Sequence, residues 1–467
     1  MNLDVNLVQT MVKKVMERMD TQGEITTAGD WGVFHTMDEA VAAAEAAQRK
    51  YLSCSLRDRE RYINAIRQTV LDEHNLEYMS RSTVEETGMG CAEHKIIKNR
   101  LAATKTPGIE DLVTEAVSGD DGLTLVEYSP FGVIGAVTPT TNPTETVICN
   151  SIGMLAAGNA VVFSPHPRAK KVTLFLIKEL NKALAAEGAP ANLIVTVSEP
   201  SIDNTNAMMS HPKIRMLVAT GGPGIVKTVL SSGKKAIGAG AGNPPVVVDE
   251  TADIEKAAGD IIDGCCFDNN LPCIAEKEVI AVDEIADYLI FNMKNKGAFE
   301  IRSPETIEKL TALVTKDGKG PKTEFVGKSA VYILNRLGID APEDTRVILI
   351  ETDENHPFVQ EELMMPILPL VRTANVNDAI EMAIRVEHGF RHTAMIHSRN
   401  VDMLTKMAKL IQTTIFVKNA PSYAGIGVGG MGYTTFTIAG PTGEGLTSAR
   451  SFARRRKCVL VGGFDVR

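Results

Sequence analysis

Cys273 stands in a setting suited to covalent chemistry. Residues 267–277 read Phe-Asp-Asn-Asn-Leu-Pro-Cys-Ile-Ala-Glu-Lys, so a proline-entered turn of small and polar residues carries the thiol. A structural cysteine usually sits inside an apolar run, whereas a nucleophile needs partial exposure and donors that favour its thiolate. A loop after a helix supplies both, and a helical segment opening at Asp253 ends at Cys265 and Cys266, which are expected to be structural.

Three further motifs accompany it: the turn Thr138-Pro139-Thr140-Thr141-Asn142-Pro143, the loop Gly221-Gly222-Pro223-Gly224, and Glu361-Glu362-Leu363-Met364-Met365-Pro366. Taken singly each has a plain reading, since Asn before Pro is a turn former and paired glutamates are usually solvated. In this order and spacing they resemble the aldehyde dehydrogenase superfamily, and more narrowly the coenzyme-A-acylating propionaldehyde dehydrogenases of bacterial microcompartments. The resemblance runs from about residue 32 to the C-terminus and rests on several motifs at once.

The resemblance implies roles residue by residue. Cys273 attacks an aldehyde, and the side-chain amide of Asn142 with the Cys273 backbone N–H stabilises the oxyanion. Hydride passes to a nicotinamide, with Glu362 on its ribose. Ser164-Pro165-His166-Pro167 matches the adenosine-ribose loop, where hydrolytic relatives usually carry a lysine and a glutamate; Ser164 and Pro167 stand here instead. NAD over NADP is therefore implied by the subfamily and not by a visible carboxylate. Without the resemblance His166 is equally a loop histidine that caps. The expected cofactor contacts are Thr138, Pro139, Thr140, Ser164, His166, Pro167, Thr220, Gly221, Gly222, Gly238, Ala239, Glu362 and Met364, with Ile438 at the substrate and no metal.

Gly238 decides the reaction type. Hydrolytic members carry a water-activating glutamate at this point before Asn243-Pro244, and this chain reads Gly238-Ala239-Gly240-Ala241-Gly242. Without that base water is a poor nucleophile at neutral pH, whereas a thiol of pKa near 8.5 offers a few per cent of strong nucleophile unaided. Thiolysis by coenzyme A follows, with room for its pantetheine arm. The product that the resemblance implies is propionyl-CoA, with acetaldehyde as a second expected substrate. A hydrolytic or phosphorylating dehydrogenase and a catalytically degenerate assembly protein are the rival readings.

Positioning these residues requires an α/β body. Apolar runs at 133–137, 161–163, 193–197, 216–219 and 246–248 alternate with helical stretches, which predicts βαβ units and a parallel sheet with ligands at the strands' C-terminal ends. The turn at 219–225 follows a strand and precedes a helix, so its small residues can admit phosphates to a helix N-terminus. The G-x-G-x-x-G matches at 425–430 and 427–432 lack that context and are expected to be decoys. The expected organisation is a Rossmann-type dinucleotide and CoA-binding domain at 33–112 and 132–245, a catalytic domain at 246–440, and a β oligomerisation arm at 113–131 and 441–467 forming a homodimer or homotetramer.

Leu3, Leu7, Val8, Met11, Val12, Val15, Met16 and Met19 recur at helical spacing, and a polar tether at 21–32 separates this amphipathic segment, 1–20, from a capping box at Thr36 and Glu39. It reads either as a helix packed on the body or as a docking peptide; the resemblance implies the latter, binding a microcompartment shell protein. A net charge of −9 argues against a nucleic-acid surface, and the basic run Arg454-Arg455-Arg456-Lys457 is expected on a solvated or intersubunit face. No apolar stretch is long enough for a membrane span and no signal peptide is evident. The seven cysteines include no CxxC pair, which indicates neither zinc nor disulfides. A cytoplasmic protein enclosed in a microcompartment lumen is the expectation.

Overall fold

The computed structural model describes residues 29–464, so the amphipathic segment 1–20 and the tether up to residue 28 lie outside the described residues. The tether's last residues pack on the body: Asp30 pairs with Lys178, and Gly32 takes φ +88° with the position of a Cβ only 2.5 Å from Asn181 Nδ2.

The expected strands all form, with ends shifted by at most two residues. One parallel sheet has the order Val33–Phe34, Ile194–Val197, Ala160–Ser164, Val133–Val137, Ile214–Thr220, Lys235–Ala239. A second runs Ala298–Ile301, Val347–Glu351, Ile367–Thr373, Glu278–Val282, Pro245–Val248, Thr393–His397, Ile415–Lys418, also parallel throughout. Helices cover both faces, which is why strands such as Ala160–Ser164 are apolar at successive positions instead of alternating.

Local signals fix the helices. Thr36 and Glu39 close the anticipated capping box on Met37–Tyr51, whose Ala40, Ala44 and Ala47 let it lie close to the first sheet. Asp253 caps Ile254–Cys266 as expected. Pro143 opens Pro143–Ala156, a helix buried on every side. One apolar core spans the first sheet and the near face of the second, and separate clusters around Val247, Ile280 and Ile396 and around Ile348, Ile350 and Ile367 share the second sheet's other face.

Glu115–Gly119, Gly122–Pro130 and Ala453–Val461 form a three-stranded antiparallel sheet. Val117, Val459, Leu460 and Val461 are exposed on it, and the basic run 454–457 lies along its last strand. Residues 441–452 are not part of that sheet; they return to the body, where Phe452 packs against Gly153.

Candidate active site

The loops leaving the C-terminal ends of the first sheet face the segment that carries Cys273 across a cavity of about 930 Å³. Thr138, Pro139, Thr140 and Asn142 enter it from one strand end; Ser164, His166 and Pro167 from the next; Thr220, Gly221 and Gly222 from a third; and Ala239 from a fourth. Cys273, Glu362, Met364 and Ile438 complete the lining.

Gly238 is the exception among the anticipated residues. It is absent from the lining, and a Cβ there would stand 2.8 Å from Val226 Cγ1 and 3.4 Å from Leu230 Cδ1, in the helix Pro223–Leu230. The pleat explains the difference: Gly238 and Ala239 point to opposite sides, and the cavity side belongs to Ala239. Gly240 does line the cavity, and a Cβ there would meet nothing within 4 Å.

Asn142 occupies the N-cap position of Pro143–Ala156, yet its side chain makes no capping bond. Instead Oδ1 accepts from Lys98 Nζ at 2.5 Å, and Nδ2 has only a 3.3 Å contact with Thr141 Oγ1. Cys273 follows three consecutive residues with left-handed backbone, Asp268, Asn269 and Asn270, at φ +50°, +54° and +64°. Non-glycine residues persist there only when held. Asp268 takes the backbone N–H of Cys91 at 2.8 Å, Asn269 donates to the carbonyls of Gly90 and Gly327, and Asn270 donates to those of Cys265 and Glu276. Lys277 Nζ closes the loop on Asn270 Oδ1 at 2.5 Å.

Cys273 is partly exposed and lines the cavity, as expected, but its surroundings do not favour the thiolate. Burial, helped by the charge of Glu362, pushes the Cys273 thiol up to about 12, against smaller opposing effects of Lys277 and Lys98. Cys273 is thereby held as the neutral thiol at pH 7, and an attack by it would need a proton acceptor. Burial likewise raises the Glu362 carboxyl, opposed by Lys277 and a backbone hydrogen bond from Gly242.

Sequence reasoning missed His392, which lines the same cavity and is 1% exposed. Its Nδ1 pairs with Thr393 Oγ1 at 2.9 Å, leaving Nε2 buried without a partner, and burial lowers its pKa to about 4, so the ring is neutral. It also missed Lys95, Lys98 and Lys277, because lysine is so rarely buried that nothing in the sequence marks these three. Cys265 is buried and Cys266 partly so, and neither lines the cavity.

The lining fits a dinucleotide. Thr138 Oγ1 is buried and unpartnered, and a Cβ on Gly222 or Gly240 would project into open space. Gly222 precedes Pro223–Leu230, leaving backbone N–H groups at a helix N-terminus unclaimed by a capping side chain. His166 lines the cavity, and its Nδ1 accepts from Arg168 N–H at 3.1 Å, the capping contact of its plain reading. Ser164 Oγ is already paired with Thr205 Oγ1 at 2.8 Å. The glycine matches at 425–432 are decoys: Lys105 Nζ clasps the carbonyls of Gly427 and Gly430, and Cβ atoms at Gly425 and Gly430 would collide with Ile415 and with the Ala424 carbonyl. Among the described residues no cluster of His, Cys, Asp or Glu could hold a metal, and no helix is long and apolar enough to cross a membrane.

Residues 14–341 match the aldehyde dehydrogenase family. A propanal dehydrogenase (CoA-propanoylating) of Citrobacter freundii is 49% identical over 466 residues, covering 100% of both chains. The crystal structure of Rhodopseudomonas palustris propionaldehyde dehydrogenase, with bound CoA and an acylated cysteine, is similar with a TM-score of 0.92 at 69% identity, over 94% of this chain and 100% of that one. A propionaldehyde dehydrogenase from the Clostridium phytofermentans fucose utilisation bacterial microcompartment gives 0.91 at 54% identity, over 93% and 100%.

Proposed function

The chain belongs to the aldehyde dehydrogenase family, and from that premise we propose that it oxidises propionaldehyde, with acetaldehyde as a second substrate, to acyl-CoA. One observation carries the reading: Cys273, Asn142 and Glu362 converge on a single cavity whose opposing strand end offers Ala239 and Gly240 and no carboxylate that could activate water.

Cys273 Sγ bonds to the aldehyde carbon as its proton passes to neutral His392, whose Nε2 is unpartnered, and Nδ2 of Asn142 faces the charge that develops on oxygen. Each such donor is worth about 3–4 kcal/mol of transition-state stabilisation in comparable sites. Thr138, Gly221, Gly222 and Glu362 line the space where a nicotinamide dinucleotide would be held, and that group would supply the hydride acceptor. Loss of hydride from the carbon leaves a thioester on Cys273. The thiol of coenzyme A then attacks that thioester, Cys273 leaves as thiolate, and acyl-CoA departs. Neutral His392, with Nε2 free, is placed to receive the proton of an incoming thiol.

NAD as the dinucleotide follows from the subfamily resemblance. Exposed Val117, Val459, Leu460 and Val461 support the three-stranded sheet as the contact of a homodimer or homotetramer. Enclosure in a microcompartment lumen, with residues 1–20 docking on a shell protein, rests on the apolar periodicity of that segment and on the origin of the Clostridium phytofermentans relative.

The test is product analysis. With propionaldehyde and NAD, NADH should form catalytically only when CoA is present and match propionyl-CoA mole for mole, and Cys273→Ala should abolish it. Sustained NADH formation without CoA, yielding free acid, would establish hydrolysis instead; dependence on phosphate would establish a phosphorylating enzyme.

A further inference from the structure

Behind Asn142 lies a cluster of buried charge that the reaction as described does not use. Lys95 and Lys98 sit one turn apart on the helix Ala92–Lys105, and both are 0% exposed. Lys98 Nζ touches three oxygens: Asn142 Oδ1 at 2.5 Å, Asp268 Oδ2 at 2.5 Å and Glu145 Oε1 at 3.0 Å. Lys95 Nζ reaches Asp268 Oδ2 and the Thr141 carbonyl, each at 3.0 Å. Asp268 is the first of the three left-handed residues leading to Cys273. One ammonium therefore ties the amide that faces the substrate to the strained loop that presents the nucleophile.

The chemistry of that contact is directional. An amide side chain can turn either its oxygen or its NH2 into the cavity, and the 3.3 Å contact of Nδ2 with Thr141 Oγ1 is too weak to decide. An ammonium has three donors and no acceptor, so it tolerates only the oxygen. Flipping Asn142 would set its NH2 against Lys98 Nζ. Burial alone would lower the Lys98 pKa, but Asp268 and Glu145 outweigh it and hold the group charged.

We propose that Lys98 is a positioning residue for the acyl-transfer reaction: it locks the Asn142 amide with its NH2 toward the developing oxyanion and, through Asp268, sets that amide's place relative to Cys273. This rests on the acylating reading above, in which Asn142 serves the oxyanion. Lys98 itself touches neither substrate nor cofactor.

The test is a double-mutant cycle in a charge-balanced background. Lys98→Met alone strands Glu145, so Glu145→Gln serves as the reference; with Lys98 gone, Asp268 still pairs with Lys95. Adding Lys98→Met should lower kcat for propionyl-CoA formation by about 10²-fold, the scale of losing an oxyanion donor, with the KM for NAD and for CoA little changed. With Asn142→Ala also present, the same change should cost under about 3-fold, because nothing is left to orient. Equal losses in both backgrounds, a loss confined to KM, or no loss would overturn the proposal. Should the Met variant fail to melt cooperatively, Lys98→Gln replaces it, since its amide can donate to Asn142 Oδ1 or accept from Nδ2 of the flipped amide and so does not select one orientation, and the same criteria apply. Wild-type protein that makes no acyl-CoA overturns the function and this inference together; active wild type with equal losses overturns the inference alone.

Discussion

Away from Asn142 the first sheet's loops line the cavity with backbone, hydroxyls and mostly uncharged side chains, whereas Asn142 and the segment carrying Cys273 are both packed around buried charge. Thr138 Oγ1 lacks a partner and Gly222 and Gly240 leave open space, while Asp268, Lys95, Lys98 and Lys277 are buried and bonded to one another or to the loop. The difference separates two tasks. A wall that meets large co-substrates should be roomy and tolerant, and a wall that presents a nucleophile must hold a strained backbone against relaxation.

The sharpest way to break this contrast is to unpair the charged wall. Asp268→Ala leaves two buried ammoniums short of a partner and should cost about 3–5 kcal/mol of stability, read from urea unfolding. Thr138→Ala on the opposite wall should change stability by less than about 1 kcal/mol, since its hydroxyl has no partner to lose. Similar costs on both sides would erase the distinction.

Glu362→Gln probes the electrostatics of the nucleophile. The Glu362 charge raises the Cys273 pKa, so removing it lowers that pKa and enlarges the thiolate fraction. Alkylation of Cys273 by iodoacetamide at pH 8 should accelerate several-fold even as turnover falls. In the wild type the alkylation rate should keep climbing above pH 9 without a plateau, because the thiol titrates near 12. A plateau near neutrality would contradict a protonated resting thiol.

A carboxylate introduced on the tolerant wall should act according to its direction. Gly240→Glu enters the cavity and should shift product from acyl-CoA toward free acid. Gly238→Glu collides with Val226 and should mainly destabilise, by about 1–3 kcal/mol, without changing the partition. The reverse pattern would return the reaction-deciding position to Gly238. Deleting residues 1–20 should have the smallest effect, leaving kcat and oligomeric state unchanged while abolishing co-purification with shells. Loss of solubility with shell association retained would place the segment in the core.

Much of this was legible in the sequence where the physics is local. Apolar runs gave five strands, Thr36 with Glu39 gave a helix start, and the absence of strand–turn–helix context exposed the glycine decoys at 425–432. Cys273, Asn142 and Glu362 were found through motif order and do share one cavity. What stayed hidden depends on pairing across the fold. Lys98 reaches Asp268 over 170 positions of chain, and an isolated lysine on a helix looks solvated. The orientation of Gly238 depended on the strand Lys235–Ala239, which a glycine-rich stretch concealed, and the thiol's raised pKa on burial that residues 267–277 alone could not reveal.

The most direct test of the account is a single turnover with trapping. Enzyme mixed with propionaldehyde and NAD but no CoA should release about one NADH per active site, and peptide mapping should find the propionyl group on Cys273. A chase with CoA should then discharge it as propionyl-CoA, far faster than water releases propionate. An acyl group on another residue, or discharge to propionate at the same rate with and without CoA, would contradict it.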